Sequence, residues 1–154
     1  MEGEIQIYSP SDRYETRSFT FSGGELQVQI PDLPNCFAGD ITVLARLQSS
    51  DALVRLLLAT EILYRAHRSA WRRLVVPYFP YARQDRVMQP GEVFSLKVAA
   101  RIINALTFDE VVVCDSHSDV ACFSGTDIGV YDDGRESSGA GRIYKALLPH
   151  DGEG

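Results

Sequence analysis

Three short apolar runs punctuate the middle of the chain: DITVLARL at 40–47, LVV at 74–76 and EVVVCD at 110–115. The two intervals between them carry helical periodicity. Leu53, Leu56, Leu57, Thr60, Leu63 and Tyr64 recur at helical spacing behind Ser49, Ser50 and Asp51, which are good N-cap residues, so the spacing predicts an amphipathic helix running to about Arg68. Val98, Ala99, Ile102, Ile103 and Leu106 mark the expected buried stripe of a second helix, with Ser95 as its cap. Strand, helix, strand, helix, strand in this order is the pattern of an α/β fold with a right-handed parallel sheet.

The amino-terminal third reads differently. Ile5 and Ile7 alternate with polar neighbours as a first strand, followed by a polar connection over 9–17. Phe19 and Phe21, the Gly23-Gly24 turn, and Leu26, Val28 and Ile30 then predict a β-hairpin, which Pro31 and Pro34 end. After Cys122 the periodicity fades into a stretch rich in Gly, Ser and Asp. The expected organisation is one α/β domain over 1–124 and an irregular or truncated tail over 125–154.

The chemistry concentrates where the central strand should end. VVPYFPYARQDR at 75–86 begins as a buried run, and Pro77 marks where regular pairing is expected to fail. Tyr78, Phe79, Pro80 and Tyr81 form a stiff turn, and Arg83, Gln84, Asp85 and Arg86 follow at once. A plain turn, Gln89-Pro90-Gly91-Glu92, leads to the second helix. The 110–115 run likewise ends in Asp115, Ser116, His117, Ser118 and Asp119. If that segment is extended, Asp115, His117 and Asp119 project to one side. In a parallel sheet both polar clusters fall on the carboxyl edge, where open α/β sheets bind their ligands.

With 15 Lys+Arg against 21 Asp+Glu, the formal charge of −6 opposes binding to nucleic acid unless a local basic patch supplies it. Arg65, His67, Arg68, Arg72 and Arg73 around Trp71 are the one such patch, and they fall where a helix should end, a favourable place for cations. The 3 cysteines, Cys36, Cys114 and Cys122, form no C-x-x-C pair and suggest reduced thiols in a cytoplasmic protein. The amino terminus has acidic residues where a signal peptide would be basic, and no apolar run reaches membrane-spanning length, so no membrane partner is expected.

VVPYFPYARQDR, the PGE turn, SLKVAA and FDEVVVCDSHSDV, together with FSGGELQVQI at 21–30, resemble the amino-terminal half of the ribose-phosphate pyrophosphokinase family, closest to its short bacterial and phage-type members. The resemblance covers roughly residues 4–121. It implies a phosphoribosyltransferase-like α/β fold and Mg2+-dependent transfer of diphosphate from ATP to ribose 5-phosphate, releasing AMP. It further implies that Arg83 and Gln84 meet the ATP with Asp85 and Arg86 beside them, and that His117 lies at the metal and triphosphate. Asp115 or Asp119 would supply oxygen or orient the His117 ring, since magnesium prefers oxygen ligands. Phe21 and Glu25 would approach the adenine of a neighbouring chain, which implies a homo-oligomer or association with a full-length synthetase. On the sequence alone, ordinary hairpin packing is the favoured reading of Phe21.

The chain also departs from the family pattern. Gly23 stands where many members carry an acidic residue, and only 9–17 is present where larger relatives insert a helix. The D-D-x-x-D-[ST]-G-type loop that binds ribose 5-phosphate in the family's second half is not visible; Asp132-Asp133 in YDDGRESSG reads as loop. SSGAGRIYKAL at 137–147 faintly resembles the segment that opens that second half. The chain is therefore expected to be a fragment or remnant of a synthetase, either catalytic in an assembly or a non-catalytic ATP-site module. A metal-hydrolase reading of Asp115, His117 and Asp119 is weaker: Cys114, His117 and Cys122 could offer soft ligands, but that spacing provides three at most and structural zinc takes four.

Overall fold

A computed structural model describes residues 4–34, 39–84, 86–115, 121–124, 127–132 and 135–136, the stretch from Cys114 onward as backbone only. Its centre is a sheet of β1 (Ile5–Tyr8), β2 (Arg13–Glu15), β5 (Ile41–Ala45), β6 (Arg72–Tyr78) and β7 (Glu110–Asp115) in the order β2-β1-β5-β6-β7. β5, β6 and β7 run parallel, with Val43 opposite Leu74 and Leu74 opposite Val111. β1 and β2 join antiparallel at the other side. The fold is thus mixed α/β, its parallel part built from the three runs that the sequence marks out.

β2 is new relative to the sequence reading. Arg13, Tyr14 and Glu15 hold one apolar residue, so an edge strand with two exposed charges leaves no alternation to detect. β6 extends to Tyr78, but regular pairing is interrupted at Pro77, as the sequence leads one to expect. Pairing with β5 ends at Leu44 opposite Val75, so Pro77 lies beyond the last paired residue on that side, and pairing with β7 resumes at Tyr78 opposite Asp115.

α1 (Ser50–Ala66) starts at Ser49, whose hydroxyl accepts the Ala52 N–H at 3.1 Å, a cap worth about 1 kcal/mol. It buries Ala52, Leu53, Leu56, Ala59, Thr60 and Leu63, whereas Leu57 is exposed. α2 (Ser95–Asn104) begins one residue earlier than expected: Phe94, not Ser95, is the cap residue, and no side chain caps the helix. Its buried stripe is Leu96, Ala99, Ala100 and Ile103, rotated from the expected one so that Val98 is exposed. Leu96 starts this i, i+3, i+4, i+7 set and faces the same core as Leu56, Leu63, Leu74 and Val76.

β3 (Arg17–Thr20) and β4 (Leu26–Gln29) form the expected hairpin as a separate two-stranded sheet. β4 packs on α1. Val28 and Ile30 enter the core, and the Arg55 guanidinium ties the hairpin and β1 together through Ser18 Oγ at 3.1 Å and the Glu4 carboxylate at 2.7 Å. Within the 125–154 stretch that was expected to be irregular, β9 (Asp127–Asp132) pairs with β8 (Ala121–Ser124) and β10 (Arg135–Glu136). Ile128 and Val130 alternate there at the strand period, a short signal beside so many Gly and Asp residues.

The basic cluster at 65–73 does not form one surface. Arg65 and Arg68 are exposed, His67 and Arg72 are buried, and Arg73 pairs with Glu110 while lying 5.1 Å from the centre of the Trp71 ring. Among the described residues no helix is long and apolar enough to cross a membrane.

Candidate nucleotide site at the carboxyl edge of the sheet

Where β6 leaves the sheet, the chain alternates anchors with presented groups. Phe79, Pro80 and Ala82 are buried and pin the turn to the core, whereas Arg83 and Gln84 are exposed. The Gln84 N–H donates to the Tyr81 carbonyl at 2.9 Å, closing the turn, and the Leu96 N–H at the start of α2 donates to the Gln84 carbonyl at 3.3 Å. Tyr81 Oη lies 2.6 Å from Ser50 Oγ on α1. The segment carrying Arg83 is therefore fastened to the amino ends of both helices.

These contacts frame a cleft of about 560 Å³. One wall is the β5–α1 connection, Leu47 to Ser50, and the other is Tyr78, Pro80, Tyr81, Arg83 and Gln84. It gathers a guanidinium, two carboxamides and four hydroxyls at the amino terminus of α1, whose backbone N–H groups give partial positive charge. Such a set suits a polyanion. From sequence, Ser49 and Ser50 are legible as helix caps; their place after a parallel strand on the same edge is the signal that they also line the site. A groove of similar size, about 590 Å³, lies between the hairpin and α1, with Leu58 and Ile62 beside Glu61 and Arg65, and holds none of the expected site residues.

Arg83 and Gln84 thus share one cleft. Arg86 is exposed in the next loop and does not line it. In that loop the Glu92 carboxylate accepts the Met88 and Gln89 N–H groups at 3.0 and 3.1 Å, and Gly91 supplies the left-handed turn with φ of 92°. Asp85, His117 and Asp119 lie outside the described residues, as does the side chain of Asp115. The Asp115 backbone pairs beside Tyr78, so the polar segment after β7 starts at the same edge as the cleft. Among the described residues no group of three or more His, Cys, Asp or Glu side chains could hold a metal ion.

Phe21 and Glu25 come together at the hairpin tip and do not line this cleft. The Phe21 N–H donates to the Glu25 carbonyl at 2.8 Å, and the Glu25 carboxylate curls over Gly23, 2.5 Å from where a Cβ there would sit. Phe21 packs within its own hairpin and is also partly open to solvent. Its ring is 52% exposed and meets Phe19 edge-on at 5.1 Å.

Residues 3–106 match the family described as the N-terminal domain of ribose phosphate pyrophosphokinase. The chain belongs to this family. Ribose-phosphate pyrophosphokinase 2 of Archaeoglobus fulgidus is 36% identical over 98 residues, covering 64% of this chain and 31% of the relative. The ribose-phosphate pyrophosphokinase of Haemophilus influenzae is 37% identical over 103 residues, with the same coverage of 64% and 31%. The chain thus matches about a third of the length of these relatives. The crystal structure of phosphoribosylpyrophosphate synthetase from Mycobacterium smegmatis superposes with a TM-score of 0.55 at 26% identity, covering 68% of this chain and 35% of that one. The ribose-phosphate pyrophosphokinase match contains β1 to α2, and with them Phe21, Glu25, Arg83, Gln84 and the whole cleft.

Proposed function

We propose that this chain supplies the ATP side of a ribose-phosphate diphosphokinase site. In the reaction, the 1-hydroxyl oxygen of ribose 5-phosphate bonds to the β-phosphorus of ATP, the bond from that phosphorus to the α-phosphate oxygen breaks, and AMP leaves. Transfer of this kind is mostly positioning and charge neutralisation. The observation that carries the reading is the pairing of Arg83 and Gln84 in the carboxyl-edge cleft of a family member.

The Arg83 guanidinium would hold two phosphate oxygens in its planar fork, which a lysine does less well. Gln84 would hydrogen-bond beside it, with Asp85 and Arg86 flanking, and the amino end of α1 adds positive potential. His117 would hydrogen-bond a phosphate or a metal-bound water, and Asp115 or Asp119 would supply oxygen to Mg2+ or orient the His117 ring; the metal would neutralise phosphate charge. Phe21 and Glu25 would meet the adenine of a second copy in a homo-oligomer. The exposed Phe21 ring supports that assignment, because it offers a stacking face outside its own core.

A non-catalytic module that joins a full-length synthetase is the second reading. AMP release from Mg-ATP, measured with and without ribose 5-phosphate, separates them. Release that depends on the sugar phosphate establishes the enzyme; nucleotide binding with no release supports the module; neither binding nor release contradicts both.

A further inference from the structure

Tyr81 holds φ of 60°, in the left-handed region where a bulky side chain is disfavoured. A residue stays in such a conformation when its surroundings over-determine it, and such strain clusters at functional sites. The surroundings here are specific. The ring packs against the core, the carbonyl accepts the Gln84 N–H at 2.9 Å, and the phenol lies 2.6 Å from the Ser50 hydroxyl. Ser50 opens α1, which is itself fixed by the Ser49 cap and by buried Leu53 and Leu56. The turn is thus tied to α1 at Tyr81 and to α2 at Gln84, and between the two ties lie buried Ala82 and exposed Arg83.

We infer that Ser50 and Tyr81 are a positioning pair, whose hydrogen bond holds the left-handed turn that aims Arg83 into the cleft. The inference rests on the nucleotide reading of that cleft. The pair acts through Arg83, and its hydroxyls are turned toward each other. Removing either hydroxyl leaves the core anchors Phe79 and Ala82 in place, so the turn loosens while the fold stands.

Mg-ATP affinity of the full chain, measured by calorimetric titration, tests this with Tyr81→Phe, Ser50→Ala, the two combined, Arg83→Ala, and Tyr81→Phe in the Arg83→Ala background. Loss of one hydrogen bond corresponds to about a three- to tenfold weaker Kd. That loss is expected for each single hydroxyl variant and, undiminished and unmultiplied, for the two together, with none added in the Arg83→Ala background. Ser50→Thr should restore the parent affinity. Without any ligand, trypsin should cleave after Arg83 faster in Tyr81→Phe than in the parent. Losses that multiply, a loss that persists without Arg83, or unchanged affinity and cleavage in Tyr81→Phe would overturn the positioning role while leaving the nucleotide site standing. No binding by the parent would overturn the nucleotide reading and the positioning role with it.

Discussion

The guanidinium of Arg72 lies 3.6 Å from the centre of the Tyr64 ring, so a buried cation at the start of β6 sits against the last turn of α1. Its Nε and Nη1 atoms have no hydrogen-bond partner among the described residues, and the ring is what compensates. Tyr64 is held in turn by Thr107, through its carbonyl at 3.4 Å and its hydroxyl. A buried cation–π contact is worth about 2 kcal/mol. Tyr64→Leu is expected to destabilise the parent by about that much and to do less harm beside Arg72→Met, where no charge is left uncovered. Urea unfolding of the four proteins in this cycle measures the coupling; equal effects in both backgrounds would refute it.

Arg55 makes a nearly buried ion pair with Glu4. Its side chain and that of Glu4 are each only 11% exposed, and the guanidinium also reaches Ser18 on the hairpin. Arg55→Ala leaves a nearly buried carboxylate unpaired and is expected to cost about 3 kcal/mol, mostly as faster unfolding or a lower midpoint. Arg13→Ala removes an exposed pair with Glu15 and is expected to change stability by less than about 1 kcal/mol. Thermal melts of the two variants should therefore separate clearly.

His67 ends α1 and is buried, and burial pushes its pKa below the ordinary 6.5, although a hydrogen bond to the Pro34 backbone works the other way. The unfolded chain then binds more protons than the folded one below the unfolded value. Stability is full above about pH 6.5 and falls as the pH drops toward the folded pKa. Melting temperatures from pH 7.5 to 5.0 should decline in the parent and decline less in His67→Gln. Parallel curves would remove His67 as the cause.

These contacts also show which parts of the fold can be read from sequence. α1 was legible because Leu53, Leu56, Thr60 and Leu63 keep one period for several turns behind a serine cap. The cleft was legible at Arg83 and Gln84 because polar residues gathered directly after a buried strand. Tyr81 was not: its left-handed backbone opposes local preference and is sustained by Ser50, a residue far away in sequence. β2 escaped because a single core-packed residue, Tyr14, between two exposed charges makes no alternation, and the α2 stripe was misplaced because exposed Val98 is as apolar as the buried positions. Tertiary packing decided each of these.

The most direct test of the nucleotide site is Mg-ATP titration of the parent and Arg83→Ala, with circular dichroism to verify that both are folded. Arg83 is exposed after the strand and anchored by its neighbours, so the variant is expected to keep the parent melting temperature. Its affinity should fall about tenfold or more, the loss of a charge-assisted bond to phosphate. Equal affinity in the two proteins, or no binding by either, would contradict the assignment of this cleft to ATP.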